Sequence, residues 1–346
     1  MTSLNNVLRF GTYSEMFDTI NRLKTKTITQ IDSWESTYNF TSMRGLFADI
    51  ADAEMAISDH METLPSDSFP KYQNMHSSLV TTYPNVTKEI TMYDSLGSTI
   101  VGKYYDINVF DGNLAYIVNK DGLVIFGGNT YCYTRDKIKV MTGTNATNFP
   151  TLVGANSSMP IYGIVVYNIP ISSVPTGTSC STNRNQWVTS KTKQGGPGPF
   201  GGRYRAITYF SQDQFAGSAN GESNTKYRVD VRVLQRRVLG SWWDNYKASS
   251  VYSSWNIGGN SVNHWVLQSG SWNSYYLLLY SSNTGQVWGQ DVHTVNYTIP
   301  FSASYGNVYN IYTKNCEDPE INSWSSVTTN AVVKNGVVLT STVTKP

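Results

Sequence analysis

Tyr227-Arg-Val-Asp-Val-Arg-Val233 decides the fold. Charge and valine alternate through it, so one face is apolar and the other polar. That period of two fits a half-buried strand of an antiparallel sheet, with its charged face in solvent. Its C-terminal flank reads alike. Val295-Asn-Tyr-Thr-Ile299 and Val308-Tyr-Asn-Ile-Tyr312 are further strands, and Tyr275-Tyr-Leu-Leu-Leu-Tyr280 fits a central strand buried on both faces. Near the C terminus, Ala331-Val-Val and Val337-Val-Leu flank Lys334-Asn-Gly336, a hairpin signal. On the N-terminal side lies an irregular stretch, Pro170 to Gly202, which contains Gly195-Gly-Pro-Gly-Pro-Phe-Gly-Gly202. A loop this long is functional or a linker. A strand over Ile161 to Ile169 precedes it.

Earlier still, the period is helical. Thr12-Tyr-Ser-Glu15 and Thr27-Ile-Thr-Gln30 match the capping box, in which two side chains satisfy free amides at a helix start. Met16, Phe17, Ile20 and Leu23 follow the first, and Ile28, Ile31 and Trp34 the second, on one face. Met43, Leu46, Phe47, Ile50 and Ile57 mark a third helix, and Met75, Leu79 and Val80 a fourth, closed near Pro84. From Glu89 the period returns to two. Tyr104 to Phe110, Leu114 to Val118, Leu123 to Phe126, Tyr131 to Tyr133 and Ile138 to Met141 read as a β-meander, with Asp121-Gly122 as a tight turn. The expected fold is α+β and mainly β: a helical region over 1–88, the meander over 89–160, and an aromatic-rich antiparallel sandwich over 161–346 carrying the Gly/Pro loop 170–202.

Composition narrows the function. The chain has 346 residues, a net charge of +2 and only 14% charged residues, where about 25% is usual. A dedicated nucleic-acid binder would carry a basic excess. No run approaches the roughly 18 apolar residues of a membrane-spanning helix. A surface poor in Lys and Glu and rich in Ser, Thr, Asn and Tyr points to an extracellular or cell-surface protein, with any signal peptide removed. Sequons at Asn39, Asn85, Asn145, Asn156 and Asn296 are expected by chance at this Ser/Thr content. Of three cysteines, Cys132 reads as a buried strand residue, while Cys180 and Cys316 lie in polar loops and could pair.

No dense catalytic motif is present. Gly196-Pro-Gly-Pro-Phe-Gly201 has the glycine spacing of a dinucleotide loop but lacks the following helix. His60, His76, His264 and His293 have no metal-ligand spacing. No cofactor or metal is expected. Glu222, Asp230, Asp244 and Asp291 are carboxylates that the fold could pair for glycan hydrolysis. Trp242, Trp243, Trp255, Trp265, Trp272 and Trp288 cluster with tyrosines. Such rings either fill a sandwich core or stack on sugars, and Trp243, Trp255, Trp272 and Tyr246 are the candidate carbohydrate contacts. Arg228, Arg232, Arg236 and Arg237 form a basic stripe. Val332, Val333, Val337 and Val338 in the last hairpin are candidate assembly contacts by strand addition.

Two segments resemble secreted or surface proteins of Bacteroidetes of unknown function. The first runs through Leu8-Arg-Phe10, Met16-Phe17, Trp34-Glu35 and Phe40-Thr-Ser-Met-Arg44. The second is Leu114 to Gly122, continuing through Tyr131-Cys-Tyr-Thr134. The resemblance covers residues 8–141 and implies an exported or surface-associated protein; it transfers no catalytic residue. The function expected is a non-enzymatic extracellular or cell-surface protein with a structural, adhesive or assembly role. Its partners would be a second copy, a cell-surface molecule or a glycan, and not nucleic acid. The alternatives are a carbohydrate-binding surface protein and a glycan-directed hydrolase.

Overall fold

Helices start where side-chain oxygens meet free amides. Thr12 caps α1 (Tyr13–Leu23), its hydroxyl accepting from the Glu15 amide at 3.2 Å. Thr27 caps α2 (Ile28–Thr37) with the reciprocal pair complete: the Gln30 amide donates to Thr27 Oγ1 at 3.3 Å, and the Thr27 amide to Gln30 Oε1 at 3.1 Å. Ser42 opens α3 (Met43–Thr63) by accepting from the Gly45 amide at 3.0 Å. α4 is Phe69–Thr82. The structure, a computed structural model, describes residues 1–63, 69–93, 100–143, 146–168, 184–193, 204–216, 222–237, 242–258, 262–268, 271–277, 280–289, 294–299, 301–303, 306–308, 311–314, 323–333 and 336–344. It is α+β and mainly β.

The chain forms two units. The first comprises Met1–Met92, Ile100–Ile169 and Arg237–Asp244; the second comprises Tyr93–Thr99, Pro170–Arg236 and Asn245–Pro346. In the first unit, β1 (Thr2–Leu4) and β2 (Val7–Phe10) form an opening hairpin inside the span read as helical. Its turn holds Asn5 and Asn6 at φ 50° and 60°, a region Asn tolerates better than most residues. Strand β2 pairs in parallel with β5 (Leu123–Phe126), followed by antiparallel β6 (Asn129–Tyr133), β7 (Lys137–Met141) and β8 (Ile164–Asn168). Strands β3 (Thr87–Tyr93) and β4 (Ile100–Ile107) pair separately. One sheet face packs Val7, Leu123, Ile125, Cys132, Met141 and Ile164 on Leu152 of α5 (Phe149–Gly154).

Two expectations change here. Leu114–Tyr116 is a 3-10 turn, not a strand. Leu114, Ala115, Ile117 and Val118 are apolar because all four are buried, and periodicity alone does not separate a short buried turn from a strand. The strand expected from Ile161 starts at Ile164, after a 3-10 turn over Pro160–Tyr162, and it pairs with β7. Residues 161–168 therefore extend the meander and not the sandwich.

In the second unit, β9 (Arg184–Lys193), β10 (Tyr204–Ala216) and β11 (Glu222–Arg236) run antiparallel, and β17 (Thr294–Thr298) and β20 (Ile311–Lys314) also pair with β11. Between these, β12 (Trp243–Asn245) begins in the segment that belongs to the first unit. A second sheet holds β13 (Ser250–Gly258), β16 (Tyr280–Gly289), β18 (Phe301–Ala303), β19 (Gly306–Val308), β21 (Ser323–Val332) and β22 (Val338–Thr344). The sheets face each other: the Thr208 amide donates to Ser341 Oγ at 3.1 Å, and the Trp255 and Tyr297 rings meet at 5.6 Å. Strands β14 (Val262–Gln268) and β15 (Ser271–Leu277) make a separate pair, so Tyr275–Leu277 ends a hairpin strand and Tyr280 opens another.

Arg228, Asp230 and Arg232 are buried, not solvated. Strand β11 has hydrogen-bonded partners along both edges, and both of its faces are covered: Tyr227, Val229, Val231 and Val233 are buried on one, Arg228, Asp230 and Arg232 on the other. Charge on the second face is compensated internally: Arg228 Nη1 donates to Asp230 Oδ2 at 3.0 Å.

Candidate functional site

The proposed sugar contacts lie in cores. Trp243 is 4% exposed, Trp255 5% and Tyr246 5%. Trp255 packs on Tyr297, and Tyr246 meets Tyr204 at 4.9 Å. A pyranose needs an open ring face, and rings buried this deeply offer none. Trp272 falls on β15, and its side chain lies outside the described residues. So do Cys180, Cys316, Asp291, His293 and the loop 195–202.

The valine hairpin closes on its own sheet. Val332 pairs with Val338, and the Val333 amide donates to the Val337 carbonyl at 2.9 Å. Val333 is buried, Val332 and Val337 are half-buried, and Val338 is 39% exposed. Strand β22 is the last in the hydrogen-bonded order of its sheet.

The two sequence segments that carry the resemblance build the fold. Glu35 is buried and accepts from the Ser42 amide at 3.2 Å and the Ser42 hydroxyl at 2.6 Å, with Arg44 Nη2 at 3.2 Å. Trp34 packs edge-on against Phe40 at 6.2 Å. The Met43 amide donates to the Val118 carbonyl at 2.8 Å. Next in the chain, Asn119 Oδ1 accepts from the Asp121 and Leu123 amides at 3.0 Å each. The two motif segments thus meet, one starting α3 and the other starting β5.

Sequence reasoning missed a buried cluster of ionisable groups in the first unit. It draws on α3, α4, β4 and the segment Arg237–Asp244. Glu54 and Ser58 stand one turn apart on α3, both buried. Ser58 Oγ donates to Asp244 Oδ2 at 2.6 Å. Arg237 Nε reaches both Asp244 oxygens at 2.9 and 3.0 Å, and its Nη2 lies 2.7 Å from Oδ1. His76 Nε2 of α4 lies 2.9 Å from Glu54 Oε1. The Tyr105 ring of β4 packs between His76, at 5.8 Å, and Trp242, at 5.0 Å. Burial and the Glu54 charge push Asp244 up to about 6, against the pull of Arg237 and Ser58. Asp244 was a carboxylate candidate by sequence; its neighbour Glu54 was not, because nearly two hundred intervening residues hide the pairing. Both carboxylates are 0% exposed, so the pair does not line an open cleft. Among the described residues no group of three or more His, Cys, Asp or Glu could hold a metal ion.

Cys132 is buried, its Sγ 3.3 Å from the Asp121 carbonyl oxygen, and burial pushes its thiol up to about 11. In the native protein near pH 8 its labelling should be slower than that of a free thiol by about a hundredfold or more. Peptide mapping after alkylation, with and without denaturant, measures this; fast native labelling would contradict the burial.

Three large exposed apolar side chains fall within five residues at the edge of the first unit's sheet. Ile161 is 90% exposed, Tyr162 40% and Val165 41%. They stand on the turn before β8, the last strand of that sheet, and on β8 itself. The outward amides there are already used. Ile164 N donates to the Met159 carbonyl at 3.1 Å, and Val166 N to Ser158 Oγ at 3.0 Å. The edge is closed to strand addition at these positions while its apolar side chains stay in water.

No protein-family model matches the chain, and no curated protein matches it. Among solved structures, the crystal structure of a DUF4848 family protein from Bacteroides thetaiotaomicron aligns over 99% of each chain at 11% identity, with a TM-score of 0.28. A score that low carries no argument. No helix among the described residues is long and apolar enough to cross a membrane.

Proposed function

We propose that this is a non-enzymatic extracellular or cell-surface protein that works by contact, in adhesion or assembly. The observation that carries the reading is the exposed apolar group Ile161, Tyr162 and Val165, on an edge strand and the turn before it, where the Ile164 and Val166 amides are already satisfied. Clustered apolar surface favours a partner that covers it, and an edge closed to hydrogen bonding directs that contact to side chains. The buried charges support the same reading. Glu35, Asp230 and Asp244 each hold a hydrogen-bonded structural partner in place of facing a cleft.

Light scattering and negative-stain imaging across concentration, with binding to intact cells, test this. The wild type should self-associate or bind cells, and Ile161→Asp with Val165→Lys should abolish the contact while leaving the circular dichroism unchanged. A wild type that stays monomeric and binds no cells would overturn the reading.

A further inference from the structure

Granted that contact function, we propose that its partner is a second copy of this chain, packed face to face on the outer side of the first unit's sheet. The inner side carries the core on α5, with Ile125, Cys132, Met141 and Ile164 pointing there. The alternate residues point the other way. Across four strands they align in a row: Val124 lies against Tyr131, Tyr131 against Val140, and Val140 against Val165. A second row runs from Tyr133 through Ile138 to Tyr167. Burial falls along both rows toward β8. Val124 is fully buried and Tyr133 nearly so, with the Phe110 ring 5.9 Å from its own. Tyr131, Val140, Ile138 and Tyr167 are half-buried, and Val165 is 41% exposed. The fold thus covers one end of an apolar face and leaves the other in water, beside the turn that carries Ile161 and Tyr162.

The outward residues of β5 to β8 include no charged side chain. The two lysines of β7 go to the inner side, Lys137 Nζ to the Asn156 carbonyl at 3.1 Å and Lys139 Nζ to the Val153 carbonyl. A two-fold contact sets each patch against its own copy, so a net charge on the face would repel itself. An uncharged face is the kind that such a contact tolerates. Strand addition is blocked where the Ile164 and Val166 amides already donate to the Met159 carbonyl and the Ser158 hydroxyl. That leaves packing of face on face. The rings are already fixed: Phe126 and Tyr131 stack at 3.9 Å with their planes 8° apart, and Tyr131 and Tyr133 at 5.9 Å. A partner therefore has little side-chain freedom to remove.

Size sets the strength. Strands about 4.8 Å apart and rows about 7 Å apart give an open patch of roughly 300 Å² per copy. A standard interface buries about 800 Å² per partner, so this dimer should be weak and reversible, with a dissociation constant of about 0.1 mM.

Sedimentation of the full chain between about 10 μM and about 0.5 mM should show a monomer–dimer equilibrium. Val140→Lys and Val140→Glu, each alone, should stay monomeric with unchanged circular dichroism, because each brings like charges together. Mixed in equal amounts at low ionic strength, they should pair at least about tenfold more tightly than either alone. Methyl NMR of the wild type locates the contact: the Val140 and Val165 signals should move with concentration, and those of Leu152, under the inner face, should not. A wild type that is monomeric throughout this range overturns the proposal, and binding to cells then decides the contact function by itself. Val140 and Val165 signals that ignore concentration overturn it too, as do charged variants that dimerise like the wild type or a mixture no better than its components. If neither charged variant folds, the wild-type methyl signals decide alone.

Discussion

Trp255→Ala is expected to lower stability by about 3–5 kcal/mol, a large share of the roughly 5–15 kcal/mol that holds a domain together. Trp255 is central in β13, opposite Asn283 of β16 and Val327 of β21, with its ring against Tyr297 of the facing sheet. Removing the indole leaves a cavity that two hydrogen-bonded sheets cannot collapse to fill. Trp255→Phe keeps much of the volume and should recover most of the loss. Thermal unfolding of the three proteins distinguishes a core ring from a ligand platform. A platform variant would keep its melting temperature and lose retention on a glycan matrix. An Ala variant that melts with the wild type would show that the ring does not hold the sandwich together.

Gly122→Ala should cost about 3 kcal/mol or more. Gly122 has φ +78°, where side chains are disfavoured, and an added Cβ would lie 2.2 Å from the Tyr133 carbonyl oxygen. That oxygen is backbone, and the Tyr133 amide already donates to the Gly122 carbonyl at 2.8 Å, so neither chain can move without opening the start of the β5–β6 ladder. Gly127 is the control. It has φ +57°, but a Cβ there meets nothing within 4 Å. Gly127→Ala should cost about 1–2 kcal/mol, the backbone penalty alone. Chemical denaturation of both variants measures the difference, and equal losses would show that the close approach at Gly122 has no energetic weight.

The glycine contrast shows how far local reasoning reaches. Asp121-Gly122 announces a positive φ because only glycine takes it freely, and that expectation is local. The contact with Tyr133 is not local, since it depends on β6 returning beside the turn. The same holds for Leu114 to Val118. Their apolar run signals burial, but whether the burial is in a strand or a 3-10 turn depends on α3 placing the Met43 amide on the Val118 carbonyl. In β11, alternation correctly marks a strand. Its charged face is buried as well as its valine face, and no strand encodes what packs over its second face.

What the sequence determined by itself were properties carried by a few adjacent residues. The caps at Thr12 and Thr27, the positive φ at Gly122 and the extended run from Tyr227 all rest on interactions within a turn or a pleat. What only the tertiary structure decided was which charges meet and which rings lose water. Ser58 and Asp244 are separated by 186 positions and share a hydrogen bond of 2.6 Å. A carboxylate's chemistry is set by its desolvation and by the charges within a few ångströms, and those neighbours exist only once the chain has returned to α3.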